Sequence, residues 1–337
     1  MKIAVDAMGG DFAPHEIVKG CMKAAREYKV NIILVGKKPL LHVLAGKHLK
    51  KLGMSIVHAP QVVGFHEHPV EALKSKPRSS IAVGIGLVKD GKADAFVSAG
   101  STGSVFAASL FMLGKVEGVD RPTIASIINL GHSVAPFMLV DSGANADCRP
   151  GHLMQFARMG NLYANRIFGL PKPRIGLLSN GGEETKGNRV TVEAHQKLKV
   201  SGLNFIGNVE GNDIVNSRAD VIVTDGFTGN ILLKAMEGLG ESFIKLKPVH
   251  GSQVGDHKLT GKALLASVGM DFLIKGMDYT EYGGACLLGV KGNVIISHGR
   301  SKAKAVKNAI GLAKRTAERD VSRMLGELEY ERSEPEV

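Results

Sequence analysis

The sequence predicts an α/β fold built on a mostly parallel sheet with helices on both faces. Three observations point there. Short runs rich in Val, Ile, Leu and Phe alternate with helix-like runs along the whole chain, the pattern of strand–helix–strand units. Two runs, 95–114 and 122–140, lack any Asp, Glu, Lys or Arg, as strands and helices buried on every side do. Gly numbers 42 of 337 residues and Pro only 12, with no repeat period, so the glycines belong to many tight loops and not to collagen or linker sequence.

The elements follow in order. Lys2–Asp6 is a short strand, and Pro14 opens a helix to about Tyr28, a residue suited to a first helical turn. Asn31–Gly36 is the next strand, followed by a helix to about Leu52 and a strand at Ser55–His58. Ser79 or Ser80 caps a helix reaching Asp90, and Asp94–Ser98 is a strand. Ile124–Asn129, Phe137–Asp141, Arg174–Ser179, Asn204–Asn208 and Asp220–Asp225 read as further buried strands. The helices among them begin near Thr102, Pro150, Asn188 and Gly229. Val294–Ser297 is a late strand, and Lys302–Leu328 reads as one long closing helix. Nothing divides the chain, so it reads as a single large domain over 1–330 with a helical excursion at about 240–278 and an acidic tail at 331–337.

Composition excludes several function classes. The chain holds 43 basic and 32 acidic side chains, a net charge of +11, at a mean hydropathy of +0.04. A core is within reach and wholesale disorder is not. Trp is absent and aromatics are 5%, which argues against base stacking. Cys21, Cys148 and Cys286 are scattered and odd in number, as in a reducing cytoplasm. An acid at Asp6 excludes a secretory leader at the start of the sequence, and the polar Gly/Ser segments inside 95–114 and 122–140 exclude a span. There is no G-x-x-x-x-G-K-[ST] and no G-x-G-x-x-G after the first strand. His66-Glu67-His68 lacks a completing cluster, so no metal and no cofactor is expected.

The chemistry sits in the strand-end loops, where ligands of such sheets bind. These are Asp6-Ala7-Met8-Gly9-Gly10-Asp11, Ala99-Gly100-Ser101-Thr102-Gly103, Asp141-Ser142-Gly143-Ala144-Asn145, Ser179-Asn180-Gly181-Gly182-Glu183-Glu184-Thr185-Lys186-Gly187 and Asp225-Gly226-Phe227-Thr228-Gly229-Asn230. Glycine lets backbone N–H groups close on an anion, and the helix start that follows adds partial positive charge. Ser101, Thr102, Thr228 and Asn230 can each donate to a phosphate oxygen. All five loops are expected on one edge of one sheet.

Four of these motifs, the opening hexapeptide Asp6–Asp11, Ser98-Ala99-Gly100-Ser101-Thr102-Gly103, Asp225–Asn230 and Glu281-Tyr282-Gly283-Gly284-Ala285, resemble the PlsX family, in order, over about residues 1 to 325. The chain departs from the family's usual Asn at Ser101 and again around Ser179-Asn180, while Gly181, Glu183, Lys186 and Gly187 fit. The resemblance implies a fold like phosphotransacetylase and the isocitrate and isopropylmalate dehydrogenases, and a homodimer. It implies acyl transfer from long-chain acyl carrier protein (acyl-ACP) to inorganic phosphate, for phospholipid synthesis. Rival readings are an acyl-CoA:phosphate acyltransferase on the same fold and a non-catalytic carrier-protein or membrane scaffold.

Thioester and acyl phosphate are both activated acyl groups, so a missing nucleotide loop suits this reaction. Lys186, Asp225 and Asn230 are the candidate catalytic residues. Lys186 faces the dianion or the oxyanion, Asn230 the oxyanion, and Asp225 orients phosphate or carries the thiol proton, with helix capping over Thr228 and Gly229 as its rival role. Gly9, Gly10, Asp11, Gly100, Ser101, Thr102, Gly103, Asn145, Glu183, Thr228, Gly229 and Lys234 complete the expected phosphate and substrate site. His15, just inside the first helix, is a further candidate at the Gly9-Gly10 loop.

Partners follow from charge and apolar surface. Lys291–Arg323 carries nine basic and two acidic residues, net +7 of the +11. Such a helix suits an acidic carrier protein, and no nucleic-acid motif accompanies it, so nucleic acid is not expected. Leu259–Met277 has an apolar stripe too short and too charged to span, with a membrane surface, a dimer contact and ordinary burial as its three readings. The family is known as a peripheral membrane enzyme, so the expected location is cytoplasmic and membrane-associated.

Overall fold

The structure, a computed structural model, describes residues 1–129, 135–245, 253–254, 257–258, 283–328 and 330. The first third builds strand–helix units. β1 (Lys2–Asp6) leads to α1 (His15–Tyr28), β2 (Asn31–Gly36), α2 (Lys38–Ala45) and β3 (Met54–His58). Then come α3 (Pro69–Ser75), α4 (Ser80–Lys89), β4 (Ala95–Ser98) and α5 (Thr102–Met112). β5 (Thr123–Ile128), β6 (Phe137–Val140), α6 (Pro150–Phe168), β7 (Ile175–Leu178), α7 (Arg189–Lys199), β8 (Phe205–Val209) and β9 (Val221–Val223) follow. α8 (Gly226–Lys245), the short antiparallel pair β10 (Gln253–Val254) and β11 (His257–Lys258), β12 (Ala285–Leu288), β13 (Asn293–Ile296), α9 (Ala303–Glu318) and α10 (Val321–Leu325) complete it.

Eleven strands form one sheet in the order β3–β2–β1–β4–β13–β12–β5–β6–β9–β7–β8. Most neighbours are parallel, but β12 runs antiparallel to both β13 and β5, and β5 is antiparallel to β6. Everything from β6 outward therefore points opposite to β1–β4. The five loops do not share one edge as their sequence placement suggests. The ends of β1 and β4 and those of β6, β7 and β9 face opposite ways, because the antiparallel β5–β6 pair reverses the sheet while the two antiparallel contacts of β12 cancel. The strands at the centre are apolar on both faces, as sheets covered by helices are: Ala95, Phe96, Val97 and Ser98 are all buried, as are Phe137 to Val140.

Two expected helices differ from expectation, and two elements, α3 and β12, are not expected. The helix after β2 stops at Ala45 and gives way to a 3₁₀ turn at Gly46–His48. α3 has Pro69 in its first turn. β12 is too short to announce itself by pattern. The closing helix breaks after Glu318, where Asp320 takes a left-handed φ of 51°, and restarts at Val321. α1 and α9 lie in close contact because α1 is glycine where they cross; a Cβ on Gly20 would stand 2.6 Å from Val306 Cβ. Among the described residues no helix is long and apolar enough to cross a membrane. Leu259–Met277 and Glu281-Tyr282 lie outside the described residues.

α8 is seated by glycine as well. A Cβ on Gly229 would overlap the Asp141 carbonyl oxygen and stand 3.0 Å from Thr224 Cγ2. Gly229→Ala must therefore lift the first turn of α8 off the β6 loop. We expect it to cost about 1–3 kcal/mol in urea unfolding, the usual penalty for overpacking; an unchanged midpoint would show that this contact does not hold the helix.

Candidate active site

Buried or half-buried carboxylates organise three strand-end loops. Asp6, 1% exposed, accepts from Met8 N and Gly9 N at 3.0 Å and from Ser98 Oγ at 2.8 Å. Gly9 thereby lies on the β4 loop, where a Cβ would meet Gly100 N at 2.7 Å. Asp141, fully buried, accepts from Ile124 N, Gly143 N and Ala144 N on one oxygen and from Asn145 N and Nδ2 on the other, at 2.8–3.2 Å. Burial pushes both carboxyls above the ordinary aspartate range, with these donors pulling the other way. Asp225 accepts from Thr228 N at 2.7 Å and Thr228 Oγ1 at 2.8 Å and caps α8.

Between these loops, over the face of β12 and β5, lies a cavity of ≈ 370 Å³. α8 forms one wall with Asn230, Leu233, Lys234 and Glu237, spaced i, i+3, i+4 and i+7 and so on one helical face. Thr102, in the first turn of α5, faces it from the β4 side, and Ser297 and His298 come from the end of β13. Ser126 and Ser142 meet across the floor, Oγ to Oγ at 2.7 Å. Ile124, Ile127, Ala285 and Ile296 supply an apolar flank. Hydroxyls, an amide, an ammonium and a helix start thus meet an apolar surface, the mixture that holds a small anion beside a hydrocarbon.

Of the residues expected from sequence, the structure brings Thr102, Asn230 and Lys234 to this cavity. Lys234 Nζ pairs with Glu237 Oε2 at 2.7 Å. Gly100, Ser101 and Gly103 frame the start of α5, where Ser101 Oγ caps Ser104 N. Gly9, Gly10 and Asp11 lie one layer away; Asp11 N donates to Gly299 O at 2.8 Å, tying the β1 loop to the segment that carries His298. Thr228 and Gly229 form the first turn of α8. Asn145 is buried, with Nδ2 donating to Pro122 O and to Asp141 at 2.8 Å, so its amide is engaged in holding the loop. Lys186 and Glu183 sit on the exposed loop after β7 and are not among the cavity-lining residues. His15 begins α1 and is exposed.

Sequence reading missed Ser126, Ser142, Glu237, Ser297 and His298 as cavity residues. His298 follows strand β13 with Gly299 after it, the same strand-end signal as the other loops. Glu237 is one turn beyond Lys234 on the face that Asn230 defines. Ser126 lies inside a strand, where no pattern marks it. The thiols offer no nucleophile, since burial pushes Cys148 and Cys286 up to about 12 and Cys21 higher still. Among the described residues no group of three or more His, Cys, Asp or Glu could hold a metal.

The Lys186 loop has its own anchor. Asn208, fully buried, donates through Nδ2 to Glu183 O at 2.8 Å and Gly181 O at 3.2 Å, while its Oδ1 meets His195 Nδ1 at 2.8 Å. We expect Asn208→Ala to cost about 1–3 kcal/mol through carbonyls left unpaired, and to speed proteolysis within Gly181–Gly187. An unchanged cleavage rate would mean the loop is held by something else.

Residues 1–324 match the family described as Fatty acid synthesis protein. The chain is 59% identical over 328 residues to the phosphate acyltransferase of Dehalococcoides mccartyi, covering 97% of this chain and 94% of the relative. It is 50% identical over 325 residues to that of Pelotomaculum thermopropionicum, covering 94% and 92%. Among solved structures, a phosphotransacetylase from Streptococcus pyogenes superposes with a TM-score of 0.62 at 20% identity over 94% of each chain. The 4-hydroxythreonine-4-phosphate dehydrogenase of Klebsiella pneumoniae does so at 0.55 and 14%, over 94% of this chain and 99% of its own. The fold is thus the one shared by phosphotransacetylases and this group of dehydrogenases, and with its strand-end motifs and the near-full-length match to phosphate acyltransferases the chain belongs to the PlsX family of fatty acid synthesis proteins.

Proposed function

We propose that the protein moves a long-chain acyl group from the thioester of acyl-ACP to inorganic phosphate, releasing acyl phosphate and the carrier thiol for phospholipid synthesis. The observation that carries this is the 59% identity over 97% of the chain to a phosphate acyltransferase. The cavity agrees with it chemically. Phosphate is held at the start of α5 by Thr102 and by Lys234, with Asn230 beside them, and the acyl carbonyl approaches along the apolar flank. A phosphate oxygen bonds to the carbonyl carbon, the C–S bond breaks, and the proton of hydrogenphosphate ends on the thiol. Both ends of the reaction are activated acyl groups, so the residues need supply only positioning and charge. Asp225 acts through Thr228, fixing the turn that presents Asn230. Lys186, exposed on the loop after β7 and outside the cavity lining, is proposed as a second cation for the phosphate on chemistry alone.

An acidic carrier protein is the proposed acyl donor, on charge. Part of the basic segment is already engaged: Lys307 pairs with Glu27 at 2.8 Å, Lys314 with Glu318 at 3.6 Å and Arg323 with Glu327 at 2.8 Å. Lys302 is exposed and stands 5.2 Å over the Phe12 ring, beside the loop that carries His298. This end of α9 is the docking surface we propose. A homodimer and reversible contact with a membrane surface in the cytoplasm complete the reading. The product is a poorly soluble acyl phosphate, and the Leu259–Met277 stripe suits such contact.

Incubation with palmitoyl-ACP and phosphate, trapping acyl phosphate with hydroxylamine, tests the reaction; comparable efficiency with palmitoyl-CoA would favour a CoA-dependent enzyme, and thioester loss that ignores phosphate would favour a scaffold. We expect Lys234→Ala and Lys186→Ala each to raise the phosphate KM, about tenfold or more for loss of a charge-assisted contact. A residue whose replacement leaves phosphate dependence unchanged is not a ligand. Changing Lys302 and Lys304 together to Glu should slow association with acyl-ACP at low salt and flatten its salt dependence. Unaltered kcat/KM for acyl-ACP would place docking elsewhere.

A further inference from the structure

We propose that Phe12 and Phe65, two exposed rings beside the cavity, are the apolar anchors on which the acidic carrier protein docks, with cations of α1 and α9 steering it there; this rests on the acyl-transfer reading above and deepens it. Phe12 is 41% and Phe65 46% exposed. They come from different parts of the chain, Phe12 from the turn between β1 and α1 and Phe65 from the segment between β3 and α3. Gly299 brings the two segments together. A Cβ there would stand 3.1 Å from Phe65 Cζ and 3.8 Å from Asp11 Oδ1, so the Phe65 ring lies against the glycine backbone with the residue before Phe12 close by. Asp11 N donates to Gly299 O at 2.8 Å and ties the Phe12 turn to the same point. His298, the neighbour of Gly299, lines the cavity, so the rings adjoin it.

The Phe65 segment is braced. Glu67 Oε1 accepts from Gly64 N at 2.5 Å and from Lys76 Nζ at 2.6 Å, and Lys76 Nζ also donates to Val62 O at 2.9 Å. The acid of the His66-Glu67-His68 run is thus engaged in holding this segment. A ring presented on a held segment loses little freedom when it is covered, which favours binding.

The cations lie around these rings. Lys302 Nζ stands 5.2 Å over the Phe12 ring. Lys19, Lys23 and Arg26 follow at i, i+4 and i+7 on α1 and are exposed on one helical face. Lys19 pairs with Glu16 at 3.3 Å, and Glu16 Oε2 accepts from Ala303 N at 2.9 Å, so the start of α9 is bonded to α1. Lys23, Arg26 and Lys302 make no ion pair among the described residues. Both helices start beside the anchors. Aromatic anchors with a charged surround are the make-up of a protein interface, and the charge selects a partner bearing carboxylates around an apolar patch. A membrane-binding element would instead offer one continuous apolar helix face.

The test is the affinity for fluorescently labelled palmitoyl-ACP, read by anisotropy. Phe12→Ser and Phe65→Ser should each raise Kd about fivefold or more, as truncating an anchor does. Val200→Ser, at an 85% exposed position ending α7, should change it by less than about twofold. Phe12→Leu and Phe65→Leu keep apolar bulk and should recover most of the loss, which separates a docking defect from a folding one. Lys23→Glu with Arg26→Glu should weaken binding at low salt and much less at high salt. An unchanged Kd in either serine variant overturns the proposal, as does an equal rise for Val200→Ser or an affinity that ignores the charge reversal. If the serine variants keep their affinity and instead lose binding to phosphatidylglycerol vesicles, or fall to monomers in sedimentation, the rings belong to a membrane contact or to a second copy, and the proposal is refuted. Wild-type protein that turns palmitoyl-ACP over while the variants bind it equally well refutes this surface alone; wild type that forms no acyl phosphate refutes the acyl-transfer reading.

Discussion

The Asp141 carboxylate is the contact on which the rest of the site depends. It stands at the end of β6, fully buried, with five donors on its two oxygens. One donor, Ile124 N, belongs to β5, so the strand pair that reverses the sheet is tied at its end. The others curl residues 143–145 into a tight loop whose last carbonyl, Asn145 O, takes Gly226 N at 2.7 Å. Gly226 opens α8, and Gly229 packs under the same aspartate's carbonyl. The carboxylate therefore sets where α8 begins and which of its faces looks at the cavity. Removing it would strand several buried N–H groups, each costing about 1–3 kcal/mol.

Asp6 does the same work in the first half of the sheet. It joins the β1 loop to Ser98 at the end of β4, and so fixes the start of α5 and Thr102. In both halves a carboxylate is kept in a dry place, at a cost that burial makes plain in its raised pKa, because backbone donors surround it. The candidate cavity lies between these two centres. It is lined from strands of both directions, by Ser142 after β6 and by Ser297 and His298 after β13, because the β5–β6 pair reverses the sheet beside β12.

Charge has a similarly local logic. A basic C-terminal segment looks from its composition like one uniform patch. In the fold, several of its cations lie along the α1 and α6 sides and are met there: Lys307 by Glu27, Lys314 by Tyr28 O, Arg319 by the Arg166 carbonyl. These contacts tie α9 to its neighbours. Lys302, at the start of α9, is exposed and stands over the Phe12 ring, and it is position rather than charge count that distinguishes it.

The sequence by itself determined the fold class and the strand-end loops. Hydrophobic runs, caps and glycine turns are local signals, and each loop motif carries its own chemistry, so Thr102, Asn230 and Lys234 were legible before any coordinates. It also sufficed to place the chain in its family, because Asp6–Asp11, Ser98–Gly103 and Asp225–Asn230 are contiguous. The tertiary structure alone decided which loops meet. A four-residue strand such as β12 leaves no periodic trace, and no local pattern marks β5 and β6 as antiparallel, yet that pair reverses β6, β9, β7 and β8 and separates loops that alternation would have set on one edge. It also decided that Asn145 is spent on Asp141 and Pro122, and that Ser126, Glu237 and His298 share one cavity. Those residues lie up to 172 positions apart in the chain, as Ser126 and His298 do, and no local pattern encodes a contact made only when distant strands pair.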